Sequence, residues 1–113
     1  MLHSVQEIQF TEIIKKQRAN GRFIPSTSRS KEAIAYHTAG IVTHFCNQCG
    51  NINMYRWHLR KSVLFLLDYI ENSEYSVIPE EIVEALGLWY EIFGGTDDES
   101  HKINVLRFIS NNK

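Results

Sequence analysis

The chain has 113 residues, is 43% apolar and 22% charged, and carries a net charge of -1. That size suits a single domain with a modest core that needs no disulfide or metal to staple it, and the longest apolar run, Val63 to Leu67, is far too short to cross a bilayer. The near neutrality is a cancellation: residues 1–61 hold nine Lys/Arg against three Asp/Glu, while residues 62–113 hold three against ten, so +6 is set against -7.

In chain order, Ser4-Val5-Gln6-Glu7 has the form of a capping box, in which the Ser oxygen and the Glu carboxylate each satisfy an orphan N–H. It predicts a first helix from about Val5 to Ala19, ended by a left-handed residue at Asn20-Gly21. Pro25 to Ser28 form a polar connection. A second helix is predicted from Ser30 to Cys49. Ala35, Ala39, Val42, Cys46 and Cys49 recur there at spacings of four, three, four and three, which lines small side chains along one face where another helix can approach closely. Gly50 to Asn53 break that pattern. A third helix from Met54 to Glu71 contains the all-round apolar run Val63 to Leu67, which predicts the central buried helix.

Ile78-Pro79-Glu80-Glu81 opens a fourth helix, with Pro where a missing N–H costs nothing and two carboxylates beside the positive end of the helix dipole. Ile82, Leu86, Trp89 and Phe93 form its inward face and Gly94-Gly95 stops it. Thr96-Asp97-Asp98-Glu99 is a second capping box, heading a last helix to about Ser110. Glu7 to Phe10 and Tyr75 to Ile78 are the only stretches that read as short strands. The expected fold is all-α, a compact bundle of about five short helices forming one domain over residues 1–113.

The start of the chain lacks the basic stretch and apolar run of a signal peptide, and two cysteines are too few for a secreted disulfide scaffold. A soluble protein in a reducing cytoplasm is the expectation, with no membrane contact. The Cys46-x-x-Cys49 pair is a weak metal candidate. Zinc wants four ligands and no second pair is present, while His44 lies two residues from Cys46 and so faces away from it on a helix. The two thiols are better explained as small apolar residues of the packing stripe. A redox motif would place them at a helix N-terminus, not at the C-terminal end found here. No cofactor is expected.

Arg56-Trp57-His58-Leu59-Arg60-Lys61 interleaves basic and aromatic residues, a pattern that can grip phosphates and stack a base. The sequence pI near 6.5 argues against a dedicated nucleic-acid binder. In the acidic half, Glu84 and Glu91 lie one heptad apart beside Trp89 and Tyr90, with Asp97 and Asp98 beyond. Aromatic anchors in a field of carboxylates suit a protein partner with a basic surface. No Gly-x-Ser-x-Gly, phosphate loop, His-Glu-x-x-His or calcium loop is present, and no enzyme activity is expected.

The expected function is therefore non-enzymatic binding that occludes a macromolecule, most concretely as an immunity protein or antitoxin blocking a basic, nuclease-like toxin through Glu84, Trp89, Tyr90, Glu91, Asp97 and Asp98. The alternative is a nucleic-acid-binding regulator using Arg56, Trp57, Arg60 and Lys61. A third reading is an accessory subunit or phage-type inhibitor of a host protein. Both a monomer and a homodimer fit the sequence.

Overall fold

The computed structural model describes residues 5–72 and 78–94 together with Ile103. Four α-helices are described, α1 (Val5–Lys15), α2 (Lys31–Gln48), α3 (Arg56–Glu71) and α4 (Glu80–Phe93), with a 3-10 turn at Ile52–Tyr55 leading into α3. There is no strand among the described residues, and Glu7 to Phe10, one of the two strand candidates, is helical. The expected all-helical bundle is what forms. The two capping boxes and the predicted last helix fall largely outside the described residues, although Ile103 is helical and fully buried in the core.

The helix ends follow local chemistry. Ser30 is the N-cap of α2, its side-chain oxygen accepting from Ala33 N–H at 3.1 Å. Pro79 is the N-cap of α4, and its carbonyl receives the N–H groups of both Ile82 and Val83. Gly94 closes α4 in the left-handed conformation at φ 71°, its N–H returning to the Tyr90 carbonyl at 2.7 Å. The first helix stops at Lys15, four residues earlier than the sequence predicts. Lys16 and Gln17 tighten onto the Ile13 and Ile14 carbonyls, and the Gln17 side chain then turns toward α3.

The centre of the bundle is α2 and not α3. The small-residue stripe of α2 packs within the chain along most of its length: Ala35, Ala39 and Val42 are fully buried, Cys46 and Cys49 at its end are half-buried, and α2 lies against both α4 and α3. The all-round apolar run of α3 misled the sequence reading. Leu59, Ser62, Val63, Leu66, Leu67 and Ile70 face inward, but Leu64 is 39% exposed and Phe65 only half-buried. Aromatic contacts fasten the α1 side of the core, with Phe10 against Phe45 at 4.6 Å and Phe45 edge-on to Tyr55 at 5.2 Å.

The loop between α1 and α2 is tied to α3 and α2 by side-chain hydrogen bonds. The Gln17 amide donates to the His58 carbonyl at 2.7 Å and to Ser62 Oγ at 3.0 Å, and its Oε1 lies 3.1 Å from His58 Nδ1. An amide oxygen can only accept, so in this contact His58 Nδ1 carries the proton and donates to Oε1. Ser62 Oγ in turn donates to the Gly21 carbonyl at 2.6 Å. Gly21 sits at φ 93° directly over the backbone of α3, where a Cβ would overlap the Lys61 carbonyl. Two residues on, Phe23 is buried, and Thr38 Oγ1 both accepts from its N–H at 2.9 Å and donates to its carbonyl at 3.4 Å.

Gly21→Ala is expected to cost about 2–4 kcal/mol, because the new Cβ meets backbone and not a yielding side chain. Thr38→Val, which strands the buried Phe23 N–H, is expected to cost about 1–3 kcal/mol. Both are read as a lower urea midpoint at unchanged m-value; a midpoint equal to wild type would contradict the loop docking described.

Candidate partner-binding surface

On α4 the buried and exposed residues separate cleanly around the helix. Ile82, Ala85, Leu86 and Trp89 face the core, while Glu80, Glu81, Glu84, Glu91 and Ile92 are exposed. Glu80, Glu84 and Glu91 follow spacings of four and seven, so the three carboxylates share one outward stripe. None of the four glutamates pairs with a cation among the described residues. One ion pair among the described residues, Lys15 to Glu12 at 3.1 Å, is exposed and internal to α1, and is worth little. The basic and acidic halves of the sequence thus meet through apolar faces, α2 on α4, and the acidic charge of α4 is left facing out.

Trp89 does not stand on that surface. It is 1% exposed and its ring lies 4.4 Å from that of Phe93, so it anchors α4 to the core and offers nothing to a partner. The correction has a plain cause: Trp89 shares the inward stripe of Ile82 and Leu86, and a side chain cannot fill the core and bind outside it. Its Nε1 is buried without a hydrogen-bond partner among the described residues, an expense of about 1–3 kcal/mol that packing offsets. Tyr90 is half-buried against the same core, leaving only part of its ring at the surface. Asp97 and Asp98 lie outside the described residues.

The exposed tryptophan is Trp57, at 69%, next to Met54 at 71%. Arg56 stands between Trp57 and the far end of α4, with its guanidinium carbon 6.0 Å from the Trp57 ring centre and 5.5 Å from that of Phe93. Lys61 is exposed, whereas Arg60 is half-buried with its Nε shut off from solvent. The sequence segment therefore divides: Arg56, Trp57 and Lys61 are outward, and Arg60 is partly built into the fold.

Cys46 and Cys49 are both thiols, half-buried at the end of α2. His44 turns away as the helical spacing requires and lies 5.0 Å from the Phe10 ring. Among the described residues, no three His, Cys, Asp or Glu side chains converge on a point where a metal could sit. Burial pushes the Cys46 thiol up to about 11, so its nucleophilic form is scarce at neutral pH.

With these surfaces laid out, comparison with known proteins gives no match: the chain matches no protein family, no curated protein and no solved structure.

At pH 8 Cys46 should be alkylated by iodoacetamide on the order of a hundredfold more slowly than a free thiol, with a rate that climbs about tenfold per pH unit toward its raised pKa. Peptide mapping by mass spectrometry reads this directly. Labelling at the free-thiol rate would place Cys46 outside the packing stripe.

Proposed function

We propose that the protein is a non-enzymatic binding protein whose α4 face docks on a basic protein surface, most concretely as an immunity- or antitoxin-type inhibitor of a nuclease-like toxin. The observation that carries this reading is the stripe of Glu80, Glu84 and Glu91, exposed and unpaired with any cation among the described residues. Carboxylates held in a row by a rigid helix present a field that is already formed when a partner arrives. The rigidity has visible sources in the buried Ile82, Leu86 and Trp89 and in the Gly94 cap.

The mechanism is occlusion. Cations that a nuclease uses to hold nucleic-acid phosphate would pair instead with Glu84 and Glu91, while the exposed Ile92 and the outer part of Tyr90 contribute apolar area. Trp89 acts behind this face by holding α4 in place.

The experiment is affinity capture from the native cell with and without nuclease treatment, followed by binding measurements on a Glu84→Lys/Glu91→Lys variant. One stoichiometric protein that survives nuclease is expected, bound about tenfold or more weakly by the variant and with a shallower dependence on salt. The variant's stability should stay within about 1 kcal/mol of wild type, since both residues are exposed. Unchanged affinity would defeat the α4 assignment. Recovery that disappears with nuclease would move the function to Arg56, Trp57, Arg60 and Lys61.

A further inference from the structure

The outward face of α3 takes no part in the α4 surface. Trp57, Lys61, Leu64, Asp68 and Glu71 follow one another at spacings of four, three, four and three, which keeps them on one stripe about 21 Å long, and all five are exposed. The stripe reverses polarity along its length. Its first half carries Arg56 and Lys61 around Trp57, its second half carries Asp68 and Glu71, and Leu64 with the half-buried Phe65 lies at the middle. Beside the acidic half, Leu64, Phe65, Leu67, Asp68 and Glu71 line a groove of about 370 Å³, with Asn20 of the docked loop contributing to its wall.

A helix face with a cationic end, an apolar centre and an acidic end is complementary to itself when turned antiparallel. We propose that this face is the interface of a homodimer, in which α3 of one copy pairs antiparallel with α3 of a second across a two-fold axis beside Leu64. In the register centred between residues 64 and 65, Leu64 of each copy covers Phe65 of the other. Lys61 then faces Asp68 of the second copy, and Trp57 reaches the groove beside Glu71. Every contact occurs twice, as a two-fold interface requires. A parallel pairing would instead set Lys61 on Lys61 and Asp68 on Asp68.

The charge pattern selects this occupant over others. A basic partner would satisfy Asp68 but meet Lys61 with like charge, and a nucleic acid would satisfy Lys61 but meet Asp68 and Glu71. Only a surface with the same reversal covers the whole stripe, and a second copy supplies one. Asp68 is available for the contact, because its carboxylate takes a local hydrogen bond from Asn72 Nδ2 at 3.3 Å and no cation among the described residues. The surface uses none of the α4 carboxylates, so dimerisation and the binding of a basic partner can fail independently of each other.

Light scattering on the full chain after size exclusion tests the proposal. The expected result is a mass that approaches twice 13.2 kDa as concentration rises. Leu64→Glu should leave a folded monomer whose thermal melt does not depend on concentration and matches that of the wild type diluted to its monomer, since Leu64 lies on the solvent side of its helix. Lys61→Glu and Asp68→Lys should each raise the dimer dissociation constant about tenfold, and the combination of the two should restore it. Iodide quenching supplies a second readout: Trp57 should be protected in the wild-type dimer and open in Leu64→Glu, with Trp89 silent in both. A wild-type chain that stays monomeric at its highest soluble concentration would overturn the proposal. So would a dimer indifferent to Leu64→Glu, a charge swap that fails to recover, or a monomer whose Trp57 is quenched by a single-stranded oligonucleotide.

Discussion

The geometry of this protein depends on how one short loop is seated. Between α1 and α2 the chain crosses the backbone of α3 at Gly21, close enough that no side chain fits there, and two residues later buries Phe23 under the hydroxyl of Thr38. The Gln17 and Ser62 side chains and Nδ1 of His58 are hydrogen-bonded at that crossing. Buried polar groups of this kind stabilise only when all are satisfied, and then they fix one arrangement against its neighbours. Here the arrangement sets the loop that follows α1 against α3. It also determines which side of α3 is left to solvent and brings Asn20 to the wall of the α3 groove.

The second constraint is the close approach of α2 and α4. Ala35 and Ala39 on one helix and Ala85 on the other are fully buried, and larger side chains at such places would hold the helices apart. Trp89 is buried on the same inward face, its ring against that of Phe93. Once the inner face of α4 is consumed in this way, its carboxylates have one direction left. The acidic stripe is thus a by-product of packing in its position, though not in its composition: neutral polar residues would have solvated the same face equally well.

The unequal charge of the two halves of the sequence finds its explanation in these two constraints. The helices that join the halves do so through the buried apolar faces of α2 and α4, and the Lys15–Glu12 pair stays within one helix. Charge of both signs therefore remains outside, on different helices. A stripe of one sign on α4 suits a partner of opposite sign, whereas the sign reversal along α3 suits a surface that repeats it. These are separate physical demands, and one chain can meet both because its four glutamates on α4 and its mixed stripe on α3 belong to different faces.

Much of this was legible in the sequence. The start of α2 near Ser30, Gly94 as a stop, the small stripe of α2 and the inward face Ile82, Leu86, Trp89 and Phe93 are all set by local chemistry and by the period of a helix, neither of which needs a partner to be defined. The tertiary structure decided what periodicity cannot. It ended α1 at Lys15, where Gln17 turns its side chain to bond α3, and it made α2 the central element, because the apolar run of α3 had one side too many for the neighbours available to cover it. It also settled which tryptophan lies outside. Trp89 and Trp57 are the same residue type on the same kind of helix, and the sequence reading gave the surface role to Trp89 even while placing it on an inward stripe. A sequence defines the faces of each helix, but which face is covered depends on contacts between residues distant in the chain, and those exist only once the chain has folded.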